Sequence, residues 1–252
     1  MTTLTLTTDA ATGSNRLTIT PTAEVTRVRR SDANGTADVR TMTAQLPHPS
    51  ASGVLVLDDY EAAQGEATYT VTTDAGNVTG SIIQTLGSPW LGTPENPQFS
   101  APVPSVLTYN AGSATLSTVH EPEGRIDPIV IVRGASTRRG SMTIEGGSYA
   151  DTLNLLRLCQ RGQTMMLRQL QHPGMDMYFL PMNADIQTSI AAGAGSTFDL
   201  AVQYIEVARP DGALSGALGW TWAELATAFP TWADVYDSYD SWGDVRTDRR
   251  TA

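Results

Sequence analysis

The side chains best suited to nucleophilic or metal chemistry in this chain are three histidines and one cysteine. His48, His120 and His172 are far apart in the sequence, each beside or near a proline, and none has metal-ligand spacing such as HExxH. Cys159 lies next to Leu158 in a predicted helix, where a thiol is expected to be buried and inert. A single cysteine also excludes an internal disulfide and a thiolate zinc site. We therefore predict no metal ligand and no catalytic nucleophile among these residues.

Neighbouring carboxylates are the next candidates, because glycoside hydrolysis uses a pair of them. Asp58 with Asp59, and Glu121 with Glu123, are the pairs that the sequence offers. Acidic residues at such places more often end strands and turns. The chain also contains no GxSxG motif, no P-loop, and no GxGxxG at a strand-to-helix junction. The sequence thus predicts a structural or binding protein without a cofactor, rather than an enzyme.

The charge balance is acidic, with 26 Asp and Glu against 16 basic residues and a net charge of -10. Every basic residue is an arginine, since the sequence contains no lysine. Affinity for a phosphate backbone depends on basic contacts, so this balance argues against nucleic acid as a partner. The missing lysine is typical of codon usage in a GC-rich genome.

At 252 residues, the chain is long enough for one large domain or two ordinary ones. No apolar run reaches the roughly 18 residues that cross a bilayer. The first residues, MTTLTLTTDAATGSNR, lack the basic and apolar regions of a signal peptide. We therefore expect no membrane insertion, and a protein made in the cytoplasm.

The first 85 residues alternate in threonine- and valine-rich runs: TLTLTT, NRLTIT, EVTRVRR, ADVRTM, GVLVLDD, ATYTVTT and NVTGSIIQ. Turn residues such as Ala33-Asn34-Gly35 separate the runs. Period-two alternation with β-branched residues predicts an antiparallel β-sandwich over residues 1–85. Tyr69 falls on a late strand, where sandwiches often carry a tyrosine corner. The region therefore resembles a fibronectin type III-like domain.

Five prolines follow between residues 86 and 105, at positions 89, 94, 97, 102 and 104. This density disfavours helix and interior strand. Residues 86–105 are therefore predicted to be either an extended linker or an arm along the edge of a strand, at a domain boundary. Trp90 lies in this arm.

Strand patterns return over residues 106–212, in SVLTYN, ATLSTV, DPIVIVRG, RRGSMTIEG, GQTMMLRQL, MYFLPM, ADIQTSI and FDLAVQYIEV. One helix is predicted at about 149–161, because Ser148 and Asp151 form a capping box and Gly162 suits a helix end. Its predicted faces are Leu153, Leu156 and Cys159 or Gln160 toward the core, and Asn154, Arg157 and Arg161 toward water. The sequence therefore predicts a β-rich domain over residues 106–212, with one helix lying on a sheet.

The segment RGASTRRG carries Arg133, Arg138 and Arg139 around a turn. We expect a hairpin loop there, exposed to solvent or to a subunit contact. Anion binding is the lesser alternative.

Residues 213–252 repeat one phrase three times at a period of ten, as TWAEL from Thr221, TWADV from Thr231 and SWGDV from Ser241. Each phrase has a hydroxyl residue followed three positions later by an acidic one, which is a capping box. Three short helix starts are therefore predicted. Isolated helices below roughly 12–15 residues are marginal in water, so this tail must pack on something.

Aromatic residues make this tail a candidate interface, because large aromatics anchor protein contacts. Three roles are open for them: packing on their own domain, docking on a neighbouring subunit or partner, and stacking on a sugar or other ligand. The interface hypothesis comprises Trp222, Phe229, Trp232, Tyr236, Tyr239 and Trp242, together with Trp90, Arg138 and Arg139.

The order of these features resembles minor tail proteins of long-tailed, siphovirus-type bacteriophages, which are common among phages of actinobacterial hosts. The resemblance covers nearly the full length. It rests on the threonine-rich sandwich, the Trp-Leu and proline arm, the blocks IVIVRG, RRGSMTIEG, LNLLRLC and MMLRQL, and the TWAEL tail. Within that group the chain looks most like a distal tail protein.

This resemblance implies a structural protein of the virion tail tip, forming a ring, usually of six copies, that joins the tail tube to the tip hub. Residues 106–212 would be the ring-forming domain. The implied partners are copies of the chain itself, the tail tube protein, the tip hub, other minor tail proteins and a host-surface glycan. The domain order differs from the usual one, in which the ring-forming domain comes first. A carbohydrate-binding sandwich module is the alternative function, and a glycan hydrolase is the third.

Overall fold

The alternating segments of the sequence form strands, and the chain is mainly β in the computed structural model. The structure describes residues 1–43, 45–190, 196–214, 225–226, 229, 231–238, 242 and 245. The strands are β1 Thr3–Asp9, β2 Ser14–Thr20, β3 Val25–Asp32, β4 Gly35–Asp38, β5 Leu55–Asp59, β6 Gly65–Thr73, β7 Gly76–Gln84, β8 Trp90–Gly92, β9 Ala101–Pro102, β10 Val106–Gly112, β11 Thr118–His120, β12 Ile129–Ile131, β13 Arg139–Gly147, β14 Met165–Arg168, β15 Met177–Ile190 and β16 Ser196–Val207. The helices are α1 Tyr149–Cys159 and α2 Trp232–Ser238, with short 3-10 turns at Ser50–Ser52, Pro97–Phe99 and Pro173–Met175.

Two compact units divide the chain, and both are discontinuous in sequence. Unit 1 comprises Met1–Pro102, Met166–Asp176 and Pro210–Ala252. Unit 2 comprises Val103–Met165 and Met177–Arg209. A short stretch in the middle of the chain therefore folds with the N-terminal strands.

Unit 1 contains two antiparallel sheets, with strand orders β1-β2-β5 and β4-β3-β6-β7. Alternate residues of these strands are buried, as the period-two pattern predicts. The core consists of Leu17, Ile19, Val25, Val28, Val39, Leu55, Leu57, Ala62, Ala67, Tyr69 and Val71. Packing of these apolar faces is what holds the two sheets together.

The proline-rich segment forms β8 and β9, which end the strand order of their sheet and fit the edge-arm alternative, whereas the expectation against an interior strand is wrong. β8 pairs on one side with β14 and on the other with β9, so it is an interior strand. The prolines permit this because β8 is only three residues long and lies between Pro89 and Pro94. Trp90 and Leu91 within it are buried.

Unit 2 is built on antiparallel strands in the order β10-β13-β16-β15. The segments MYFLPM and ADIQTSI, predicted as two strands, form the single 14-residue strand β15. The register against β16 shifts between Pro181 and Asn183. A bulge at this point accommodates the proline without ending the strand.

The helix α1 begins at the predicted capping box, where the Asp151 amide donates to Ser148 Oγ at 3.2 Å. Gly162, just beyond the helix, has a φ of 68°, which suits the left-handed residue that follows a helix end. α1 packs on β13, β15 and β16. The helix thus covers one face of the unit 2 sheet.

The buried face of α1 differs from the predicted one. Its buried residues are Thr152, Leu155, Leu158 and Cys159. Leu153 and Leu156, predicted to face the core, are only half-buried. Leucines occupy both sides of the helix, so periodicity alone does not select the face. The helix face that carries Thr152 packs on the sheet, and the Thr152 hydroxyl donates to the Phe198 carbonyl of β16 at 3.0 Å.

Candidate functional site

A hairpin of unit 2 carries the densest group of exposed apolar side chains among the described residues. Residues 113–137, which we call the apolar hairpin, connect β10 to β13 and contain the antiparallel pair β11 and β12. Its exposed large hydrophobic residues are Leu116, Val119, Ile126, Ile129, Val130, Ile131 and Val132. Ile126 is fully exposed and Val132 is 82% exposed.

Short polar residues hold the apolar hairpin in shape. The Arg133 amide donates to Ser117 Oγ at 3.0 Å, and the Ala114 amide donates to Ser136 Oγ at 3.1 Å. At the tip, Gly124 has a φ of 80°, which permits the turn there. The ribbon therefore owes its form to its own hydrogen bonds and not to burial.

Both faces of the apolar hairpin are apolar. Successive side chains of a strand point to opposite faces. Ile129 and Ile131 are 44% and 45% exposed on one face, and Val130 is 51% exposed on the other. Exposed apolar surface of this extent makes the apolar hairpin a candidate contact site.

Arg138 and Arg139, both in the interface hypothesis, lie at the base of the apolar hairpin. Arg138 donates from Nε and Nη2 to the two Glu206 carboxylate oxygens, at 2.8 and 2.7 Å. This hydrogen bonding holds the pKa of Glu206 below its usual range. Arg139 begins β13 and is exposed. Arg138 thus fixes the base of the hairpin to β16. Arg139, by contrast, is exposed at the surface.

The described part of the aromatic tail forms a small core. Leu225 and Val235 are buried, and Phe229 and Val245 pack against them. Three of these residues, Leu225, Val235 and Val245, occupy the fifth position of the repeated phrase. The period of ten therefore brings equivalent apolar residues together.

The second of the three predicted capping boxes is confirmed. The Asp234 amide donates to Thr231 Oγ1 at 3.3 Å, and the Thr231 amide donates to Asp234 Oδ2 at 2.9 Å. Helix α2 follows directly. The first and third boxes, and the candidate interface residues Trp222 and Tyr239, lie outside the described residues.

Three of the described aromatic rings of the tail are exposed, whereas Phe229 packs against Leu225 and Val235. Trp232, Tyr236 and Trp242 are 61%, 84% and 63% exposed. The Trp232 and Trp242 rings meet edge to face, with centroids 6.0 Å apart and planes at 69°. These rings are therefore not buried in the core of unit 1, and the tryptophan pair does not form a flat stacking surface.

Trp90, the remaining candidate interface residue, is only 4% exposed, and so it belongs to the core of unit 1. The guanidinium of Arg168 lies 5.7 Å from its ring centroid, a cation–π distance. Burial therefore removes Trp90 from the surface where a partner would meet it.

A buried group of charges in unit 1 was not predicted. Arg30 Nη1 donates to both carboxylate oxygens of Asp59, at 2.8 and 2.9 Å, and Arg30 Nε lies 2.7 Å from Asp32 Oδ2. Burial acts to lower the pKa of Arg30, but Asp59 and Asp32 outweigh it and raise that pKa. The alternating pattern gave no signal for this group, because Arg30 reads as one of several arginines on a surface strand.

Tyr69 joins the same group, and this corrects the expected tyrosine corner. Its hydroxyl donates to Asp59 Oδ2 at 2.8 Å and accepts from Asn15 Nδ2 at 2.9 Å. A tyrosine corner instead bonds to the backbone. Burial, with the nearby Asp59 carboxylate, raises the pKa of Tyr69. The phenol therefore helps to satisfy a buried carboxylate.

Two further buried arginines tie distant segments of unit 1 together. Arg168 Nη1 donates to the carbonyl oxygens of Gly13 and Ala62, at 2.8 and 3.1 Å. Burial lowers the pKa of Arg168 to about 10. Arg40 donates to the carbonyl oxygens of Gly212 and Pro210, at 2.6 and 2.7 Å. These arginines act as structural clamps.

The candidate chemical residues do not converge. His48 is buried, whereas His120 and His172 are exposed. Asp58 pairs with Arg16, while the next residue, Asp59, pairs with Arg30 in the core. Within the described ranges, no group of three or more His, Cys, Asp or Glu side chains is placed to hold a metal ion.

Comparison with known proteins identifies no relative. No protein-family model matches the chain. No curated protein matches it either. Of the helices in the described part of the chain, none is both long and apolar enough to cross a membrane.

Proposed function

We propose that this protein is a structural component of a phage tail tip, a distal-tail-like minor tail protein of the virion. In this proposal unit 2 self-associates into a ring that joins the tail tube to the tip hub. The observation that carries the proposal is the apolar hairpin, with its seven exposed large hydrophobic side chains between Leu116 and Val132. Exposed apolar patches of this kind are typical of surfaces that a partner covers.

A ring needs two different surfaces on each copy, because each neighbour meets the next in the same head-to-tail sense. The apolar hairpin is one such surface. The other is β10, which ends the strand order of the unit 2 sheet among the described residues and carries Leu107 at 50% exposure. An edge strand offers main-chain groups to a neighbouring chain.

The N-terminal strands support a fibronectin type III-like sandwich. Their orders, β1-β2-β5 and β4-β3-β6-β7, place three strands against four in two antiparallel sheets. In phage tail tips, sandwich domains of this kind hold side fibres or contact the cell surface. We assign the same role to this one.

The aromatic tail is proposed to fasten the protein to a neighbour. Trp232, Tyr236 and Trp242 are exposed beside a core that Leu225 and Val235 already form, so the rings are not needed to complete it. Clustered tryptophan and tyrosine are the residues that most often dominate binding energy at an interface.

The alternative is a carbohydrate-binding module, in which aromatic rings stack on sugars. The exposure of Trp232 and Trp242 favours it. The angle of 69° between their planes disfavours it, because a sugar ring needs a flat aromatic face. We therefore rank the structural function first.

The decisive experiment measures the mass of the full-length protein by light scattering and images the same sample by negative stain. We expect closed rings in which every copy contributes an apolar hairpin. The double variant Val130→Asp/Val132→Asp should remain folded by circular dichroism but become monomeric. A wild-type protein that stays monomeric over the whole soluble concentration range would contradict self-association.

The control is Ile83→Asp, which adds one negative charge, against two in the hairpin variant, at an exposed apolar position of unit 1. Ile83 is 69% exposed on β7. This variant should form rings as the wild type does. Loss of rings in the control and the hairpin variant alike would mean that added charge, and not the hairpin, decides assembly.

A further inference from the structure

The turn between β3 and β4 holds an Asn-Gly pair, Asn34 followed by Gly35. It is the one Asn-Gly pair among the seven asparagines of the sequence. The strand register pairs Asp32 with Gly35 across a two-residue turn, and Asn34 is exposed. Gly35 has a φ of 101°, and no heavy atom lies within 4 Å of the position that a Cβ would occupy. Gly35 has no side chain of its own, and no other heavy atom crowds the Cβ side of its backbone.

This arrangement permits a defined covalent reaction without any other reactant than water. The Gly35 nitrogen attacks Cγ of Asn34 and closes a succinimide ring. The Cγ–Nδ2 bond breaks, and Nδ2 leaves as ammonia with the proton from the Gly35 amide. Water then opens the ring at either carbonyl, which leaves aspartate or isoaspartate at position 34. Asparagine is thermolabile in proteins by this kind of chemistry.

Asn34 contacts two carboxylates of unit 1, one through its side chain and the other through its backbone amide. Its Nδ2 donates to Asp176 Oδ2 at 2.8 Å, and its backbone amide donates to Asp32 Oδ1 at 3.0 Å. Asp176 Oδ1 accepts in turn from the Gln169 amide at 2.6 Å. Asn34 is therefore the group that links the β3–β4 turn to the segment from Gln169 to Asp176.

We propose that Asn34 is a site of spontaneous deamidation, and that the product carboxylate, close to Asp32 and Asp176, loosens the Gln169–Asp176 segment from the β3–β4 turn. The reaction replaces a hydrogen-bond donor with a negative charge. Burial, with a smaller contribution from Asp32, already raises the pKa of Asp176. A third carboxylate at this place adds repulsion without adding a cation.

The isoaspartate product has a second effect, because it adds one carbon to the main chain. The added atom falls in the turn that sets the register of β3 and β4. Arg27 and Arg29 on β3 both contact Asp38 on β4, at 2.7 and 3.5 Å, and depend on that register. The proposal does not depend on the function assigned above.

The test for the reaction is peptide mapping of the full-length protein after incubation in mildly alkaline buffer. Residues 31–40 form one tryptic peptide, which should gain one mass unit and split into aspartate and isoaspartate forms. Asn77 is the matched control, since it is exposed beside the β6–β7 turn but is followed by Val78, whose branched side chain hinders attack. Conversion at Asn34 should be several times faster. If Asn34 is converted no faster than Asn77, the proposed deamidation site is wrong.

The test for the consequence compares the urea midpoints of Asn34→Asp, Asn34→Ala and Asn34→Asp/Asp176→Asn. Asn34→Ala removes the hydrogen bond without adding charge, so its midpoint should lie between those of the wild type and Asn34→Asp. The double variant should recover most of the loss, because the amide introduced at position 176 restores a donor opposite the new carboxylate. If Asn34→Asp equals Asn34→Ala, or if the double variant recovers nothing, the proposed repulsion is wrong.

Discussion

Arg30 and Asp59 form a buried pair in which one guanidinium nitrogen, Nη1, reaches both carboxylate oxygens, at 2.8 and 2.9 Å. Their side chains are 4% and 1% exposed. The Glu61 amide also donates to Asp59 Oδ1 at 3.0 Å. Removing Asp59 leaves the buried Arg30 charge with Asp32 as its remaining close carboxylate, and loss of a buried partner of this kind is strongly destabilising.

We expect Asp59→Asn to lower the free energy of unfolding by about 3–5 kcal/mol. Urea denaturation measures the change. The control is Asp58→Asn on the same strand, which breaks the partly exposed pair with Arg16 and should cost about 1 kcal/mol or less. Similar losses of unfolding free energy in both variants would show that the buried pair stabilises the fold no more than the partly exposed pair does.

The pH dependence of stability should reflect the same pair. Burial acts to raise the pKa of Asp59, but Arg30 outweighs it, so the folded pKa lies below its usual range. A carboxyl of this kind stabilises the fold above its unfolded pKa, and the contribution is lost as pH falls through the folded value. The free energy of unfolding should therefore decline below about pH 4. Urea titrations at a series of pH values should show a shallower decline for Asp59→Asn, and identical slopes would refute the assignment.

Cys159 should be unreactive in the native protein. Burial raises the pKa of its thiol to about 12, so almost none of it is thiolate at neutral pH. An alkylating reagent followed by mass spectrometry should label Cys159 only when urea unfolds unit 2. Rapid labelling without denaturant would mean that α1 opens readily.

Gly13 should tolerate no side chain. It has a φ of 64°, and an added Cβ would lie 2.7 Å from Trp90 Cε2 and 2.8 Å from Arg168 Nη2. Gly76→Ala is the matched control, because Gly76 also has a positive φ of 122° but has open space around it. Gly13→Ala should cost about 1–3 kcal/mol more than Gly76→Ala in the free energy of unfolding. Equal losses in the two variants would show that backbone strain, and not the contacts with Trp90 and Arg168, causes the destabilisation.

Deleting residues 219–252 should weaken assembly and leave the β-sheets of both units folded. Leu214, which packs with Met42 and Tyr60, is retained, and the small core of Leu225, Phe229, Val235 and Val245 is removed as a whole. Circular dichroism should show β structure unchanged, while light scattering should show a smaller mass than the full-length protein. Assembly as complete as that of the full chain would exclude the tail as a fastening element.

Local patterns were sufficient to predict most of the elements. Each of the seven alternating runs before residue 85 overlaps a strand, and the capping box at Ser148 begins α1. These features depend on neighbouring residues, which a sequence displays directly. Leu153 and Leu156 show the limit, because which stripe of a leucine-rich helix is buried depends on the surface that it meets.

Contacts between distant residues were not predictable in this way. Arg168 lies in a strand whose four residues are all buried, and it binds the carbonyl oxygen of Gly13, which is 155 positions away. The burial of the run from Ile129 to Val132 could not be predicted from the sequence either. Its composition signals burial, whereas the structure leaves it exposed. The composition of an apolar run does not identify the segment or the partner that packs against it.

The clamp formed by Arg168 also has a consequence for biosynthesis. A ribosome delivers the chain from its N-terminus, so the loops that carry Gly13, between β1 and β2, and Ala62, between β5 and β6, emerge before Arg168. Their carbonyl oxygens must remain in water until Arg168 has been translated, and Arg40 must wait longer still for Pro210 and Gly212. Unit 1 therefore gains the last of these arginine contacts only after Gly212 has been translated, once all the strands of unit 2 have been made.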